Sequence, residues 1–393
     1  MRGKAATTLL LAIVALGATG CLQTPRKPRR GSQLQTQTYE PAPSPSPTAS
    51  PSPSSSPAPT PSSSPSPQPT AAPNPTALRL TPDWVQPAVL STWRSSIPNG
   101  WYPKLSKNGR YLIFGNGAAY GADLQTGVER AIGGGRAFGA SWIGDTQFTY
   151  FDEIVDNQAS RRYVGSSTDW IPVATGDDPY IAHGGMYGAD AGNWASWSPG
   201  GGFKLVRNGQ IIATGVGGAL AVGGNQIANA QLVNGEYRGV MVWTNGALQA
   251  VYPTLTPQEA HQIAINKGYV VYGGYGPVHG ILPNGTDIDV TTVPWQWEGS
   301  PVVFFVGAQP WIATATFSGA LQRGYVLLRP FGEKGVIVLD DGAAGTNHLD
   351  TDAISISVVE NAGILTIATN DPKGRMQVRK IPVNAPRHIL QMP

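Results

Sequence analysis

The stretch Lys204–Ile212 reads KLVRNGQII: an apolar strand, an Asn-Gly pair and a second apolar strand. Two further stretches repeat this plan, Val240–Leu248 (VMVWTNGAL) and Gly280–Ile288 (GILPNGTDI). Asn-Gly between apolar runs is a strong hairpin signal, because a type I′ turn needs positive φ at both central residues. The three asparagines, at positions 208, 245 and 284, lie 37 and 39 residues apart. The chain is therefore predicted to repeat one hairpin-based unit.

This period divides the chain after residue 100 into seven approximate units: 101–135, 136–177, 178–218, 219–256, 257–294, 295–342 and 343–387. A repeat of about 40 residues is typical of one four-stranded propeller blade. The composition agrees, since charged residues are only 13%, glycines number 49, and long 3.6-residue apolar patterns are scarce. We predict an all-β β-propeller, most simply with seven blades of four antiparallel strands, six or eight being the alternatives. The best helical candidate is the short stretch Thr256–Ile265.

The last unit contains only three strand-like segments, at 353–359, 364–369 and 376–381. A propeller whose first and last blades do not meet would expose sheet edges. The apolar segments 77–80 and 85–90, which precede the first unit, are therefore predicted to supply the fourth strand of the last blade and close the ring.

The first unit carries the most distinctive motif, Tyr102–Phe114 (YPKLSKNGRYLIF), followed by DLQTG at Asp123–Gly127. It resembles the SPDGRYIAF turn and the downstream DLxTG of TolB-like and WD-type propeller repeats. A weaker echo is WSPGG at Trp197–Gly201. The resemblance implies propeller architecture from the first unit to the last, and it implies no catalytic residues.

The N-terminus carries an export signal. Arg2 and Lys4 precede the apolar run Leu9–Leu16, four small residues and Cys21, an order typical of a secretory signal over residues 1–20. It resembles the lipobox of bacterial lipoproteins, although that family usually has Leu where this chain has Ala18. The resemblance implies that Cys21 is diacylated and anchors the chain to a membrane. The alternative is an ordinary cleaved signal followed by an incidental cysteine.

The residues around the cysteine bear on location. Leu22 follows it, with no Asp there to retain the chain, so the lipoprotein resemblance implies the outer membrane of a two-membrane bacterium, and otherwise the cell surface. Cys21 is the only cysteine, so no intramolecular disulfide is available. Beyond the signal, no apolar run approaches the roughly 20 residues that span a bilayer.

Between anchor and domain lie two linker segments. Residues 21–40 include the basic cluster Arg26–Arg30, which adds attraction to anionic lipid or is simply a solvated charge run. Residues 41–76 consist almost entirely of Pro, Ser, Ala and Thr. Such a segment favours extended polyproline II and reaches on the order of 100 Å at about 3.1 Å per residue. We predict a semi-rigid stalk that carries a globular domain over residues 77–393.

Two polar or aromatic clusters stand out as candidate sites. Alternating carboxylates suit a hard cation such as Ca²⁺, and a solvated acidic turn is the alternative; these residues are Asp340, Asp341, Asp350 and Asp352. Tryptophan faces stack on sugar rings, a neighbouring carboxylate holds hydroxyl groups, and core packing is the alternative; these residues are Trp194, Trp197, Trp295, Trp297 and Glu298. Beyond Ca²⁺, the sequence indicates no cofactor.

The function classes follow from these features. The net charge of +3 includes the basic N-terminal residues and no basic face is apparent, which disfavours a nucleic-acid partner. We find no nucleophile elbow, zinc-protease motif or P-loop, and the five histidines have no ligand spacing. The main expectation is a non-catalytic, membrane-tethered module that binds an envelope protein. The alternatives are a lectin-type propeller that binds a surface glycan, and a glycosidase or lyase that pairs Glu298 with Asp152 or Asp190.

Overall fold

A computed structural model describes the chain over residues 85–98, 100–115, 118–133, 138–153, 160–178, 188–190, 193–197, 202–207, 210–216, 220–233, 236–253, 262–273, 278–291, 298–318, 323–343, 356–371 and 374–390. All of these residues belong to the compact unit that lies within residues 68–393. The described residues contain no helix of the length and apolarity needed to cross a membrane.

The described residues form strands throughout. The first half of the chain holds β1 (Ser91–Arg94), β2 (Trp101–Leu105), β3 (Tyr111–Gly115), β4 (Ala119–Asp123), β5 (Val128–Gly133), β6 (Phe138–Ile143), β7 (Gln147–Glu153), β8 (Ser160–Ser166), β9 (Val173–Asp178), β10 (Gly188–Asp190), β11 (Asn193–Trp197), β12 (Gly202–Arg207) and β13 (Gln210–Val216).

The second half continues with β14 (Leu220–Gly223), β15 (Gln226–Val233), β16 (Glu236–Thr244), β17 (Ala247–Pro253), β18 (Gln262–Asn266), β19 (Tyr269–Gly273), β20 (His279–Ile281), β21 (Asp287–Asp289), β22 (Glu298–Val306), β23 (Gln309–Ser318), β24 (Arg323–Pro330), β25 (Ile337–Ala343), β26 (Ser357–Asn361), β27 (Ile364–Asn370) and β28 (Met376–Pro382).

These strands form seven four-stranded antiparallel sheets among the described residues. Six sheets each contain four consecutive strands in chain order, from β2–β5 through to β22–β25. The seventh has the order β1-β28-β27-β26, so it combines the first strand with the last three. Each innermost strand contacts the innermost strand of the next sheet, and β26 contacts β2, so the ring closes. The prediction of an all-β propeller with seven blades is confirmed.

The ring is closed by the strand that precedes the first unit. Strand β1 pairs antiparallel with β28, Ser91 opposite Lys380 and Arg94 opposite Gln377. The amide of Leu90 donates to the carbonyl of Lys380 at 2.8 Å, which extends the pairing by one residue. A fourth strand from before the first unit is therefore present as predicted, but its predicted position is wrong: residues 85–90 are not in a strand, the strand lies at Ser91–Arg94, and segment 77–80 lies outside the described residues.

Hydrophobic clusters join neighbouring sheets. The largest lies between the sixth and seventh sheets and includes Leu328, Leu339 and Ile367. A second, which contains Leu112, Phe114 and Met376, joins the first sheet to the seventh, and Trp93 of β1 packs against it. A neighbouring blade covers each face of a blade. Both faces of the middle strands are therefore buried, which explains their apolar runs.

The Asn-Gly turns differ from one another. Asn245 and Gly246 have φ values of 51° and 87°, as a two-residue type I′ hairpin requires. At the second described turn only Gly285 has positive φ, and its amide donates to the carbonyl of Leu282 at 2.8 Å. The I′ expectation is wrong there, because Pro283 restricts φ to negative values and lengthens the turn. The turn at 208–209 lies outside the described residues.

The helical expectation for Thr256–Ile265 is wrong over its described part. Gln262–Ile265 lie in β18, which is paired along its length with β19. The stretch is short, and the neighbouring sheets bury its Ile265 side chain in a strand position, so tertiary packing outweighs local helical preference.

The C-terminal segment after β28 packs against the sixth sheet. His388 and Val336 form an antiparallel bridge in which each amide donates to the other carbonyl, at 2.8 and 2.9 Å. Leu390 packs on the cluster that contains Leu327 and Val338, and Arg387 pairs with Glu333. This segment therefore covers part of the outer side of that sheet.

Candidate functional site

The predicted site residues are distributed over several sheets, and half of them lie outside the described residues. Cys21, Trp295, Trp297, Asp350 and Asp352 belong to that half. The backbone of Trp194 and of Trp197 lies in β11, where these residues pair with Val206 and Phe203 of β12. The cluster of tryptophans with Glu298 as a ligand site stays a prediction.

Glu298 begins the innermost strand of the sixth sheet and is fully buried. Its Oε1 atom accepts a hydrogen bond from the Thr314 hydroxyl at 2.6 Å, and from Arg329 Nη1 and Nη2 at 3.3 and 3.4 Å. The carboxylate is thus engaged inside the blade and is not presented to solvent. These contacts favour a structural role for Glu298 over contact with a ligand.

Arg329 is the buried cation of this network, with 2% of its side chain exposed. Burial lowers the pKa of its guanidinium, and the carboxylates of Glu298 and Asp289 act in the opposite direction. A buried charge is tolerated only when it is paired and hydrogen-bonded. The polar residues Glu298, Thr314 and Arg329 therefore form one unit across three adjacent strands.

The predicted acidic cluster is only partly described. Asp340 lies in β25 opposite Tyr325, and its carbonyl accepts a hydrogen bond of 2.7 Å from Arg379 Nη1. Asp341 follows it in the same strand. Within the described ranges, no three His, Cys, Asp or Glu side chains converge on a point that could hold a metal ion. A Ca²⁺ site that includes Asp350 and Asp352 stays a prediction.

The first-unit motif stabilises two turns of the first sheet. The Ser106 hydroxyl donates to Asn108 Oδ1 at 2.8 Å and accepts from the amide of Tyr111 at 2.9 Å, which shapes the turn. Arg110 Nη2 lies 2.9 Å from Asp123 Oδ2, which ties the SKNGRY turn to the DLQTG turn. This hydrogen bond lowers the pKa of Asp123. The motif therefore shapes and joins the two turns and leaves no evident reactive group.

A partly exposed polar network in the fifth sheet was not anticipated. The Tyr272 hydroxyl donates to Asp287 Oδ2 at 2.8 Å, and His279 Nδ1 lies 3.6 Å from Asp287 Oδ1. The Tyr272 and His279 rings stack with centroids 5.2 Å apart. Scattered in sequence, these residues carry no motif, and only the pairing of β19, β20 and β21 brings them together.

Lys104 is a second unanticipated feature. It lies in β2, the innermost strand of the first sheet, between the buried residues Pro103 and Leu105, yet its own side chain is exposed. Protein nevertheless surrounds the ammonium, and this desolvation lowers the pKa of Lys104. A water-filled space enclosed by protein reconciles the two observations. Lys104 belongs to the Tyr102–Phe114 motif of the first unit. The available sign of it in the sequence was a charged residue within a predicted strand.

A cleft of about 310 Å³ lies where the ring closes. It is formed by Ser91–Trp93 of β1, by Val378 and Lys380 of β28, and by the turn Leu124–Gly127 of the first sheet. Its lining combines hydroxyl and amide side chains with the apolar groups of Trp93 and Val378, and Lys380 is the one titratable residue that the structure places there.

No protein-family model matches this sequence, and no curated protein matches it. Solved structures do match. One is a chain from an S. cerevisiae complex of a Dbp5 variant bound to Nup159, a Gle1 variant, IP6 and ADP, with 10% identity, 75% of this chain and 95% of that chain covered, and a TM-score of 0.50.

Two other matches are BamB from Moraxella catarrhalis and the WD40 β-propeller domain of Doa1. BamB has 12% identity, coverage of 71% and 84%, and a TM-score of 0.44. The Doa1 domain has 9% identity, coverage of 74% and 96%, and a TM-score of 0.47. At such identities the likeness concerns the fold alone. The chain is a β-propeller, the architecture that WD40 domains also adopt.

Proposed function

We propose that this chain is a lipid-anchored protein of the bacterial cell envelope whose propeller is a non-catalytic, protein-binding scaffold. The sequence supports the anchor through the basic, apolar and small residues that lead to Cys21. It supports the stalk through 14 prolines in residues 41–76. Two acyl chains hold a protein on a membrane stably, whereas one does so only marginally.

The observation that carries this proposal is the way the ring closes. Strand β1, which follows the proposed stalk in the chain, is the outermost strand of the last blade. The proposed stalk is followed, after residues 77–90, by a strand that is hydrogen-bonded to β28. A closed ring of blades is a rigid platform, and rigid scaffolds with variable loops are suited to recognition.

The exposed side chains favour a protein partner over a glycan. Of the eleven large hydrophobic residues that are exposed in the described part of the chain, ten are aliphatic and one is Tyr102. Aliphatic side chains at a surface suit contact with another protein, whereas sugar recognition relies on aromatic faces. Ile171, Val173 and Ile211 are the most exposed of those on the second and third sheets.

The contacts of Glu298 also weigh against glycoside hydrolysis that uses this residue. Such hydrolysis needs two carboxyl groups that flank an accessible substrate. Glu298 is closed to solvent and bonded to Thr314 and Arg329.

The anchor is tested by expressing the full chain and a Cys21→Ser variant in a bacterium with an alkyne fatty acid. We expect the wild-type chain to take up the label and to sediment with membranes, and the variant to do neither. Equal labelling of both chains, or an unlabelled wild-type chain, contradicts lipid anchoring at Cys21. Separation of inner and outer membranes then tests the location that Leu22 implies.

The protein-binding role is tested by photo-crosslinking in the same cells. A photoreactive amino acid replaces Ile171 or Val173, and as a matched control it replaces Gln125, a polar residue on a turn of the first sheet. We expect discrete protein adducts, identified by mass spectrometry, at the apolar positions and not at the control. A chain that forms no protein adduct at either apolar position and binds surface glycans on an array contradicts the proposal.

A further inference from the structure

Lys104 occupies an unusual position in the ring. Strand β2 is bonded to β3 on one side, and it contacts the innermost strands β6 and β26 of the two neighbouring sheets. Because β3 and the two neighbouring sheets surround β2 on its other sides, an exposed side chain of this strand can point only towards the axis of the ring. The exposed Lys104 therefore lies at the central channel.

The surroundings of this lysine do not compensate its charge. Neither a hydrogen bond nor an ion pair joins the Lys104 ammonium to any described residue, and its carbonyl, not its side chain, accepts the 2.7 Å bond from Trp142 Nε1. Burial lowers the pKa of Lys104, and no nearby carboxylate opposes this effect. A cation without a counter-charge, in a solvent-accessible space with low-dielectric protein walls, produces a concentrated positive potential.

The corresponding places in five of the other six sheets carry no charge. Like Lys104, the residue at each of these places pairs with the second strand of its own sheet and lies on the face turned to the next blade. These residues are Ser141, Ala221, Ala264, Val302 and Val359. In the third sheet, the side chains of the innermost strand lie outside the described residues. Repetition of the blade thus does not require a lysine here, and small or aliphatic residues serve the packing elsewhere.

A backbone irregularity lies directly before the lysine. The pairing of β2 with β3 shifts between Trp101 and Lys104, and Tyr102 within this bulge has a φ of 52°. The same shift precedes Ser141 in the second sheet and Val302 in the sixth, where Ser300 has a φ of 51°, so the bulge belongs to the blade repeat and redirects the side chain that follows it. Tyr102 is 56% exposed, so the bulge presents an aromatic ring two residues from the lysine.

We propose that the central channel contains a binding site for a small anion, bearing a carboxylate or a phosphate, centred on the Lys104 ammonium. An ammonium supplies up to three donors and a point charge to either group. The anion would provide the counter-charge that Lys104 lacks among the described residues. This site is independent of the membrane anchor and of the proposed protein partner.

The test uses the full chain with its lysines converted to ¹³C-dimethyl-lysine, which keeps their charge. The Lys104 resonance is assigned by its loss in Lys104→Met, and Lys107, an exposed turn residue, is the matched control through Lys107→Met. Citrate and pyrophosphate are titrated at constant ionic strength. We expect a saturable shift of the Lys104 resonance with one of them, a rise in the pKa of Lys104 at saturation, and no saturable shift at Lys107.

Affinity is measured in parallel by calorimetry on the unmethylated proteins. We expect Lys104→Met to weaken binding at least tenfold, and Lys104→Arg and Lys107→Met to stay within about threefold of wild type. Equal non-saturable shifts at all lysines, unchanged affinity in Lys104→Met, or no response to either anion would overturn the proposal. Circular dichroism of each variant separates loss of binding from loss of fold.

Discussion

Glu298 and Arg329 form an ion pair inside the sixth blade, with Arg329 Nη1 3.3 Å from Glu298 Oε1 and both side chains closed to solvent. They lie in β22 and β24, which are separated by β23, and Thr314 of that middle strand completes the contact. In the sequence, Glu298 is notable because it follows two tryptophans. The fold places its carboxylate against Arg329, which lies 31 residues further along the chain.

Removal of one partner is expected to destabilise the blade. Glu298→Gln keeps the size of the side chain and leaves the buried guanidinium without its direct counter-ion, which costs about 3–5 kcal/mol. Urea unfolding followed by fluorescence measures this loss. The matched control is Glu333→Gln, which breaks the exposed pair with Arg387 and is expected to cost less than about 1 kcal/mol. Equal effects of the two substitutions contradict a structural role for the buried pair.

Deletion of residues 77–98 removes the strand that closes the ring. We expect a soluble domain whose free energy of unfolding falls by about 3 kcal/mol or more, because the edge of β28 is unpaired and Trp93 no longer covers the cluster around Phe114. Scanning calorimetry makes the comparison. Deletion of the stalk residues 41–76 is the control and should leave the transition of the domain in place; an unchanged transition in the first deletion defeats the proposal that β1 stabilises the ring.

The C-terminal segment offers a closely matched pair of substitutions. Leu390 packs on the cluster of Tyr325, Leu327 and Val338, whereas its neighbour Ile389 is 65% exposed. We expect Leu390→Ala to cost about 1–2 kcal/mol and Ile389→Ala less than about 0.5 kcal/mol, as measured by urea unfolding. Similar losses for both residues would show that the packing of this segment contributes nothing specific.

Gly121 lies beneath the Trp170 ring, which stacks on Phe148 at a centroid distance of 5.7 Å. A Cβ atom on Gly121 would overlap that ring, so Gly121→Ala should cost about 1–3 kcal/mol through overpacking. At Gly335 a Cβ would make an ordinary contact of 3.6 Å with Arg387, so Gly335→Ala should be close to neutral. The tryptophan fluorescence of Gly121→Ala should change as well, and an unaltered spectrum with unaltered stability contradicts this packing.

The lowered pKa of Lys104 predicts that the stability of the folded domain depends on pH. Its pKa is lowered in the folded state, so the unfolded chain holds this proton more tightly than the folded chain does. The destabilising effect is complete below the folded pKa and is relieved as pH rises towards the unfolded value of about 10.4. Lys104→Met should therefore raise the melting temperature at pH 7, by a margin that shrinks as the pH rises towards that unfolded value. A margin that does not change over this range contradicts the lowered pKa.

Much of the fold was predictable because each blade is a local structure. Consecutive antiparallel strands joined by tight turns leave apolar runs and Asn-Gly pairs at a regular spacing, which is why the strands of each sheet fall within one predicted unit, apart from Asp178, Ala343 and β1. A strand from before the first unit was also predictable, since the last unit contained one segment too few, but its position at Ser91–Arg94 was not. The helical expectation at 256–265 was wrong over its described part because a short apolar stretch has no decisive period.

The candidate site was much less predictable. Glu298 and the tryptophans near it are adjacent in sequence, and adjacency does not reveal which face of a strand a side chain occupies or what lies across the sheet. The network of Tyr272, His279 and Asp287 has no motif, because its members come from three strands. Lys104 is an ordinary lysine in sequence, and its confinement arises only from the neighbouring blades.

The amino-acid sequence alone determined the repeat length, the strand-and-turn plan of each blade and the order of signal-like, proline-rich and folded segments. These are properties of neighbouring residues and of composition. Only the tertiary structure decided which charges are buried in pairs and which cation has no counter-ion among the described residues. Those outcomes depend on the packing of blades against one another, where residues separated by a whole repeat or by the full length of the ring come into contact.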